Sequence, residues 1–416
     1  MYKTASIFLK DTHKLFDKID QYAFLCKNLK NSILYMYRQE FFTNGVTLNK
    51  YAVINTLTKG KQQDYIAIPR KVSQQIVFQV AREFQSFWGL LKARKNNDSI
   101  GRPQLPRYLD KTKGRANVIF TKQAVSKKGF SKGLLIVSPF DKELPIEIPL
   151  GNLSDVITYD DLQEVRFVKV QNGYDVKIIY KASECEALET SKERYVSIDL
   201  GVNNLMSLGN NFGASYELIS GRALKSFNQY YNKKLAKLRS LLDTCKEFQK
   251  NSIKKKIERL HRKRKHKVQD FLHRASRYVI NHAVSNGVET LVIGYNKGWK
   301  QEINIGTTNN QKFVSIPHST LLNMISYKAQ EFGIEVITTE ESYTSKCSFL
   351  DSEELKKHIA YKGSRLKRGL FRSSEGRLLN ADINGSLNIL RKVIGDFQYD
   401  PVQVCSTPKT INVLKL

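Results

Sequence analysis

The chain has 416 residues, of which 41% are hydrophobic, and this is enough apolar material for two or three domains with separate cores. Its formal net charge is +29 and its pI is about 9.7. An excess of cations repels itself unless a polyanion offsets it, so the charge indicates a nucleic-acid partner and argues against an enzyme of small metabolites. A ribosome-associated or merely basic protein is the alternative.

Hydropathy and cysteine content bear on the compartment. No apolar run reaches about 18 residues, so the sequence predicts no membrane span. The first ten residues are too short and too polar for a signal peptide. The cysteines are scattered and form no C-x-x-C pair, which fits a reducing compartment and argues against a cysteine-rich zinc site. We therefore expect a cytoplasmic protein, associated with the nucleoid if the host is prokaryotic.

The first hundred residues read as one strand followed by helices. Residues 3–9 alternate weakly and predict a short strand. From Asp11, a plausible N-cap, apolar residues recur at helical spacing, and a second helix is predicted over residues 71–95, directly after Pro69. The aromatic and aliphatic stripes on these helices are interpreted as core packing between helices.

The next segment, from Gly101 to about residue 187, is different in character. Pro103 and Pro106 break the helical pattern, and turn signals such as Asn172-Gly173 separate short apolar runs. The predicted strands cover residues 117–121, 133–137, 146–149, 165–170 and 174–180. They indicate a small β-barrel or sandwich, with the preceding helical block inserted between the first strand and the barrel. Residues 182–193 are acidic, small and non-periodic, and they predict a linker.

The C-terminal half alternates strands with helices. The predicted strands cover residues 195–200, 205–208, 216–219, 290–295 and 334–339. The predicted helical segments cover residues 224–286, residues 317–330 and a last helix that begins near Gly385. Three neighbouring strands, a helical region and further alternating strands suggest an RNase H-like α/β domain.

Two aspartates stand out in this half. Asp199 ends the apolar strand of VSIDLGVNNLMSL, and Asp382 lies in NADINGSLNIL, ahead of an amphipathic helix. A carboxylate after an apolar run is costly unless something offsets its charge, and a divalent cation would do so. Taken singly, each aspartate is equally well explained as an N-cap or turn residue.

Together with LVIGYNKGWKQ and the TSK of ESYTSKC, these two segments resemble the RuvC domain of the TnpB family, the transposon-encoded relatives of type V CRISPR nucleases. The resemblance covers residues 194–396, and the N-terminal half is similar in layout only. It implies a multidomain α+β and α/β protein. A wedge-like β-barrel would comprise residues 1–10 and 97–190, a helical recognition lobe residues 11–96, the RuvC-like domain residues 194–396 with an insertion at 343–379, and a tail residues 397–416.

The sequence departs from the family pattern at two places. Gly294 stands in IGYN, where the family usually has a glutamate. The two C-x-x-C pairs of a zinc ribbon are also missing. Cys347 is the one cysteine between Asp382 and the Thr344-Ser345 pair of ESYTSKC, which we call the T-S word. Basic residues crowd that interval instead: Lys356, Lys357, Lys362, Arg365, Lys367, Arg368 and Arg372.

RuvC-like chemistry uses two Mg²⁺ ions about 3.5–4 Å apart, and hard cations require oxygen ligands. Two ions need roughly three carboxylates, so either the nuclease is inactive or the third carboxylate has moved. A subset of the family, like the eukaryotic Fanzor proteins, carries the glutamate just before the T-S word. Glu340 and Glu341 occupy that place, and we favour Glu341. The resemblance then implies that Asp199, Glu341 and Asp382 bind two Mg²⁺ ions, with Mn²⁺ as a substitute.

A basic run, KKKIERLHRKRKHK, lies in the long helical region. At helical spacing its cations cover more than one face, so we interpret it as a phosphate-binding surface in preference to a solvated face or a localisation signal. The expected nucleic-acid-binding residues are Lys254, Lys255, Lys256, Arg262, Lys263, Arg264, Lys265 and Lys267.

The resemblance implies an RNA-guided DNA endonuclease with a guide RNA and a double-stranded DNA target as partners. One alternative is a nuclease-inactive RNA-guided DNA-binding protein, such as a repressor. A second is an RNA-independent RNase H-like transposase.

Overall fold

The computed structural model describes residues 2–97, 101–138, 145–182, 193–296 and 316–416. The chain divides into two compact units, Met1–Ser183 and Glu184–Leu416. Most of the predicted linker, residues 183–192, lies outside the described residues, as do residues 297–301 of LVIGYNKGWKQ.

The first unit opens with one strand and four helices. These are β1 (Tyr2–Lys10), α1 (Phe16–Asn44), α2 (Lys50–Lys59), α3 (Gln63–Ile66) and α4 (Arg70–Asn96). The prediction of Asp11 as an N-cap is wrong, because its N–H donates to the carbonyl of Asn172 at 2.9 Å and Leu15 occupies the cap position. Helices α2 and α3 were not predicted.

The predicted core stripes of α1 and α4 are buried as expected. Val77, Val80 and Phe84 of α4 have no exposed surface, and Tyr37 of α1 packs on Phe84 with ring centroids 5.2 Å apart. The aromatic positions at helical spacing therefore form the core of the helical block.

The strands that follow complete the first unit. They are β2 (Val118–Thr121), β3 (Leu134–Val137), β4 (Ile146–Pro149), β5 (Leu162–Val170) and β6 (Gly173–Lys181), with a short helix α5 (Lys127–Phe130) after β2. Strand β1 pairs with β6 along its length, giving the order β1-β6-β5-β2, while β3 pairs with β4. The described strands therefore form an open sheet and a separate hairpin and do not close a barrel, because β1 and β2 remain the sheet edges. The four helices lie between these two edge strands in the sequence.

Asp20 connects α1 to this sheet. Its carboxylate accepts hydrogen bonds from Arg115, Lys169 and Tyr174 at 2.7–2.8 Å. Burial raises the pKa of Asp20, but the hydrogen bonds from these three residues outweigh burial and lower the pKa to about 2.

The second unit begins with three strands, two long helices and a parallel strand–helix–strand unit. The elements are β7 (Tyr195–Leu200), β8 (Asn204–Asn210), β9 (Glu217–Ser220), α6 (Arg222–Thr244), α7 (Glu247–Ser285), β10 (Thr290–Gly294), α8 (His318–Gln330) and β11 (Glu335–Thr339). The predicted helical region 224–286 is thus two helices, separated at Cys245 and Lys246.

The chain then forms a small sheet and returns to the main one. The elements are β12 (Ser364–Lys367), β13 (Leu370–Arg372), β14 (Leu378–Asn380), α9 (Ala381–Ile394), α10 (Pro401–Cys405) and β15 (Lys409–Ile411). The main sheet has the order β11-β10-β7-β8-β9-β15. Strand β15, within the predicted C-terminal tail, extends this sheet by pairing in parallel with β9.

Helix α9 begins at Ala381, four residues earlier than predicted. The side chain of Asn380 accepts the N–H groups of Asp382 and Ile383 at 2.9 and 3.3 Å and so caps the helix. Asp382 therefore lies in the first helical turn, not in the loop before it. No helix in the described part of the chain is long and apolar enough to cross a membrane.

Candidate active site

Asp199 lies at the end of the central strand β7, between β8 and the parallel strand β10. Helix α9 crosses this strand at close range through Gly385, where a Cβ atom would lie 2.9 Å from the Asp199 Oδ2 atom. The next residue, Ser386, fixes the contact, since its hydroxyl lies 3.2 Å from the Ser197 carbonyl and 3.0 Å from the Ser207 carbonyl. The Gly-Ser pair of NADINGSLNIL therefore holds the helix against the Asp199 carboxylate.

Asp382 is presented by the first turn of the same helix. Its Oδ2 atom accepts a hydrogen bond from the Asn204 side-chain amide at 2.7 Å. Its Oδ1 atom lies 3.4 Å from a guanidinium nitrogen of Arg365. The carboxylate is thus oriented by a residue of β8 on one side and by a cation of β12 on the other.

Glu341 reaches toward this place from beyond β11. Strand β11 lies next to β10 and one strand further from β7. A Cβ atom at Gly294, the last residue of β10, would lie 2.7 Å from Glu341 Cγ and 2.8 Å from Glu341 Oε1. The Glu341 side chain therefore lies over the end of β10, in the space that any side chain at position 294 would occupy.

The backbone around Glu341 is held on both sides. Its N–H donates to the side-chain oxygen of Asn296 at 3.0 Å. Its carbonyl accepts the N–H and the hydroxyl of Thr344 at 3.2 and 2.8 Å. The threonine of the T-S word thus fixes the turn that presents the glutamate.

Glu340 has a different environment. It is exposed, its carboxylate accepts the hydroxyl of Ser342, and its carbonyl accepts the Lys392 ammonium at 3.0 Å. Of the two adjacent glutamates, Glu341 is the one whose carboxylate lies over Gly294.

The three carboxylates interact electrostatically. Burial raises the pKa of Asp199 well above its usual range, and the negative charges of Glu341 and Asp382 raise it further, while Arg365 opposes them. Burial raises the pKa of Glu341 to about 7. The Glu341 Oε1 atom is buried and has no hydrogen-bond partner among the described residues. A bound cation would relieve both the repulsion and the unsatisfied oxygen.

A cavity of about 360 Å³ opens in front of the aspartates. Its lining includes Asp199, Asp382, Arg222, Arg365 and Arg368. Glu341 is not among the lining residues, and no group of three or more histidine, cysteine, aspartate or glutamate side chains in the described ranges is arranged to hold a single metal ion. The cavity therefore combines two carboxylates with three guanidinium groups, and the third carboxylate lies beside it.

The segment between Glu341 and Asp382 is organised by a buried carboxylate. Glu353 is 3% exposed, and its two oxygens accept the N–H groups of Ser348 and Lys362, each at 2.8 Å. The thiol of Cys347 lies 3.3 Å from the carbonyl oxygen of Glu354. Two turns that are 14 residues apart in sequence are therefore joined by one side chain.

Helix α9 anchors the same segment. The Asn384 amide donates to the Cys347 carbonyl at 2.9 Å, and its oxygen accepts the Phe349 N–H at 3.0 Å. The Asn388 amide donates to the carbonyls of Thr344 and Cys347 at 2.9 and 2.7 Å. The asparagines of NADINGSLNIL thus position the segment beside the aspartates.

The basic run lies on α7, apart from this cavity. Lys254, Lys255, Lys256, Lys263, Lys265 and Lys267 are exposed, while Arg262 and Arg264 are partly buried. The predicted site residues therefore fall into two groups: the carboxylates, which the fold brings together, and the cations of α7, which lie on a separate helix.

Sequence reasoning missed the roles of Asn204, Arg222, Arg365 and Arg368 around the cavity. The two asparagines of GVNNL and the basic residues that crowd the cysteine-poor interval were available signals. The spacing of these residues in the sequence does not show which side chains face Asp382, because their orientation depends on how β12 and α9 pack.

This chain is similar in sequence to known families and to a viral protein. The family OrfB_IS605, described as probable transposase, matches residues 177–300, and the family described as Cas12f1-like, TNB domain, matches residues 318–389. TnpB-like protein ORF457 of Acidianus two-tailed virus is 25% identical over 406 residues, covering 91% of this chain and 84% of the viral protein.

Solved structures show the same fold. The protein in the Cas12f1-sgRNA-target DNA complex is similar with a TM-score of 0.62 and 18% identity, over 90% of this chain and 82% of that one. The mini-RNA-guided endonuclease CRISPR-Cas_phi3 is similar with a TM-score of 0.59 and 10% identity, over 99% and 94% of the two chains. The two family matches and the viral relative show that this chain is similar to the TnpB family, and the solved structures show that it shares their fold.

Proposed function

We propose that this protein is an RNA-guided DNA endonuclease with a RuvC-type site formed by Asp199, Glu341 and Asp382. The observation that carries the proposal is the convergence of three carboxylates from β7, the end of β11 and α9, with Glu341 in the space left by Gly294. Similarity to the TnpB family and a fold shared with proteins solved with guide RNA and target DNA support both partners.

The donor set fits a hard divalent cation. All three side chains offer oxygen, and the Glu341 Oε1 atom is buried with no partner among the described residues. Two Mg²⁺ ions, or Mn²⁺ in their place, would be held by Asp199, Glu341 and Asp382. When bound, such ions activate a water molecule and stabilise the charge on the leaving oxygen.

The surrounding residues have distinct proposed roles. Asn204 fixes the orientation of Asp382 through its hydrogen bond of 2.7 Å. Arg222, Arg365 and Arg368 line the same cavity and are placed to bind the phosphodiester backbone. The site thus combines carboxylates for metal with guanidinium groups for the strand to be cut.

The first unit would serve recognition. Its sheet and hairpin would form the wedge-like domain, and its helices α1–α4 would form the recognition lobe. They would bind the guide RNA and its duplex with DNA through shape and backbone, while base pairing reads the sequence. Residues 194–396 would form the nuclease domain.

The test begins with RNA that copurifies with the full chain, which is sequenced to identify the guide. The ribonucleoprotein is then incubated with Mg²⁺ and a plasmid library that carries the matching target and randomised flanks. Cutting of plasmids with the target, and its loss after ribonuclease treatment, are the expected results. Cutting that survives ribonuclease treatment would instead support the RNA-independent transposase.

A nuclease-inactive DNA-binding protein is the second candidate. The observation that favours it is the Arg365 guanidinium, 3.4 Å from Asp382, in a region where no three-ligand metal group is arranged among the described residues. Sequence-specific binding by the ribonucleoprotein without any cutting in Mg²⁺ or Mn²⁺ would establish it.

A further inference from the structure

A second cavity, of about 370 Å³, lies between α6 and α7, away from the carboxylates. Aromatic side chains line it from α6 and cations line it from α7. The lining includes Phe227, Tyr230, Tyr231, Lys263, Arg264 and Lys267.

One wall of this cavity is fixed by internal contacts. The Arg264 guanidinium lies 5.0 Å from the Tyr231 ring centroid, and its Nε donates to the Asn228 side-chain oxygen at 2.7 Å. The Tyr231 hydroxyl lies 2.7 Å from Nδ1 of His261. These contacts preorganise the polar wall.

The opposite part of the cavity presents an accessible ring. Tyr230 is 58% exposed, so its ring is accessible although α6 packs against α7. The Lys267 ammonium lies 4.9 Å from the Phe227 ring centroid. An aromatic face and a cation are therefore available at the same opening.

The charge around the opening is strongly one-sided. Residues 251–269 of α7 contain nine lysines and arginines and a single acidic residue, Glu258. A neutral apolar partner would gain nothing from this charge, whereas a phosphate would. Aromatic rings beside cations are the features that bind unstacked bases and their backbone.

We propose that this cavity takes one unstacked nucleotide of a single-stranded nucleic acid. The base stacks on Tyr230 and Phe227, and the adjoining phosphate lies against Lys263 and Lys267. The nucleotide is defined by this chemistry, whether it comes from RNA or from a displaced DNA strand. The proposal rests on the nucleic-acid-binding part of the proposed function and does not require cleavage.

Affinity measurements with the full chain, freed of RNA by nuclease and high salt, test the proposal. The probes are fluorescent oligothymidylate and oligouridylate, compared over a range of salt concentrations. Replacing Tyr230 with alanine should weaken binding about 5- to 100-fold with an unchanged salt slope, because a stacking contact is lost. Lys263→Gln should lower the log–log salt slope by about 1, because a phosphate contact is lost. Tyr230→Trp should retain affinity.

Matched controls for the aromatic and the basic residue come from α7. Phe248 is 76% exposed on α7 but does not line the cavity, and Lys255 lies in the basic run outside it. Phe248→Ala should leave affinity unchanged, and Lys255→Gln should lower the salt slope only if the run as a whole binds phosphate. Equal losses in the Tyr230→Ala and Phe248→Ala proteins, or none in either, would overturn the proposal.

Photocrosslinking identifies the source of the nucleotide. The ribonucleoprotein is assembled with 4-thiouridine in the RNA or 5-iododeoxyuridine in the DNA, and crosslinked peptides are sequenced. A crosslink to residues 226–231 from either probe supports the cavity and names its strand. Crosslinks from both probes that avoid this segment would contradict it. Failure of cleavage with the crosslink present would refute the nuclease alone.

Discussion

Two glutamates, twelve residues apart, lie near the two places where the sequence departs from the family pattern, and their surroundings differ. Glu341 lies over Gly294, and its Oε1 atom has no hydrogen-bond partner among the described residues. Glu353 lies in the segment without a zinc ribbon, and both of its oxygens accept backbone N–H groups at 2.8 Å. A satisfied carboxylate stabilises its surroundings, whereas an unsatisfied one costs free energy unless a cation binds. The difference fits a structural role for Glu353 and the proposed metal-binding role for Glu341.

The largest expected effect concerns the other two carboxylates of the proposed metal site. Asp199→Ala and Asp382→Ala should each reduce cleavage at least about a hundred- to thousandfold, because the groups that hold the charge-stabilising ions are lost. Binding of RNA and target should remain near normal in gel-shift assays. Cutting by either variant at a rate near that of the wild type would remove that aspartate from the site and weaken the functional half of the comparison.

The stability of the two glutamate variants should differ in sign or size. Glu353→Gln should lower the free energy of unfolding by about 1–3 kcal/mol, because an amide group then faces a backbone N–H that it cannot accept. Glu341→Gln should leave stability unchanged or raise it slightly, because an unpaired buried charge is removed. Urea unfolding in metal-free buffer measures both. Equal destabilisation by the two changes would erase the distinction.

Asp20 in the first unit is, like Glu353, a carboxylate whose oxygens accept hydrogen bonds. Hydrogen bonds lower its pKa from 3.8 to about 2, so its contribution is present above about pH 3.8 and is lost as the pH falls toward 2. Asp20→Asn should cost about 1–2 kcal/mol at pH 7, and the deficit should shrink below pH 3.8. Urea titrations at pH 7 and pH 3 give the two differences. A deficit that is the same at both pH values would mean that the charge of Asp20 is not what stabilises the fold.

The smallest expected effect is that of zinc removal. Glu353 already joins the turns at Ser348 and Lys362, so a zinc chelator should leave the melting temperature unchanged. Elemental analysis of the purified protein provides the independent measurement. One tightly held zinc per chain, with a fall in melting temperature on chelation, would show that this segment depends on a metal after all.

Much of the second unit could be predicted because strand and helix periodicities are local. The sequence predicted the strand over residues 195–200 with its true bounds, and the predicted strand over residues 290–295 is one residue longer than β10. The predicted start of α9 is four residues too late. The sequence allows Asp382 to be either a loop residue before the helix or a residue of its first turn, and the cap by Asn380 selects the second.

Other features depend on distant contacts and could not be predicted. The open sheet of the first unit follows from the pairing of β1 with β6, which are more than 150 residues apart. The role of Glu353 required knowing that the N–H groups of Ser348 and Lys362 converge on one point. Arg365 was noted only as one of many cations, since sequence spacing does not show that it reaches Asp382.

The relocation of the third carboxylate to Glu341 is tested most directly by cleavage assays on Glu341→Ala and Glu340→Ala, assembled with the same RNA in Mg²⁺. Glu341→Ala should abolish cutting, and Glu340→Ala should retain most of it, because only Glu341 lies over Gly294. Adding Gly294→Glu to Glu341→Ala should restore part of the activity if the Ile389 side chain, 2.6 Å from a Cβ at that position, turns aside. Normal cutting by Glu341→Ala together with loss in Glu340→Ala would contradict the account.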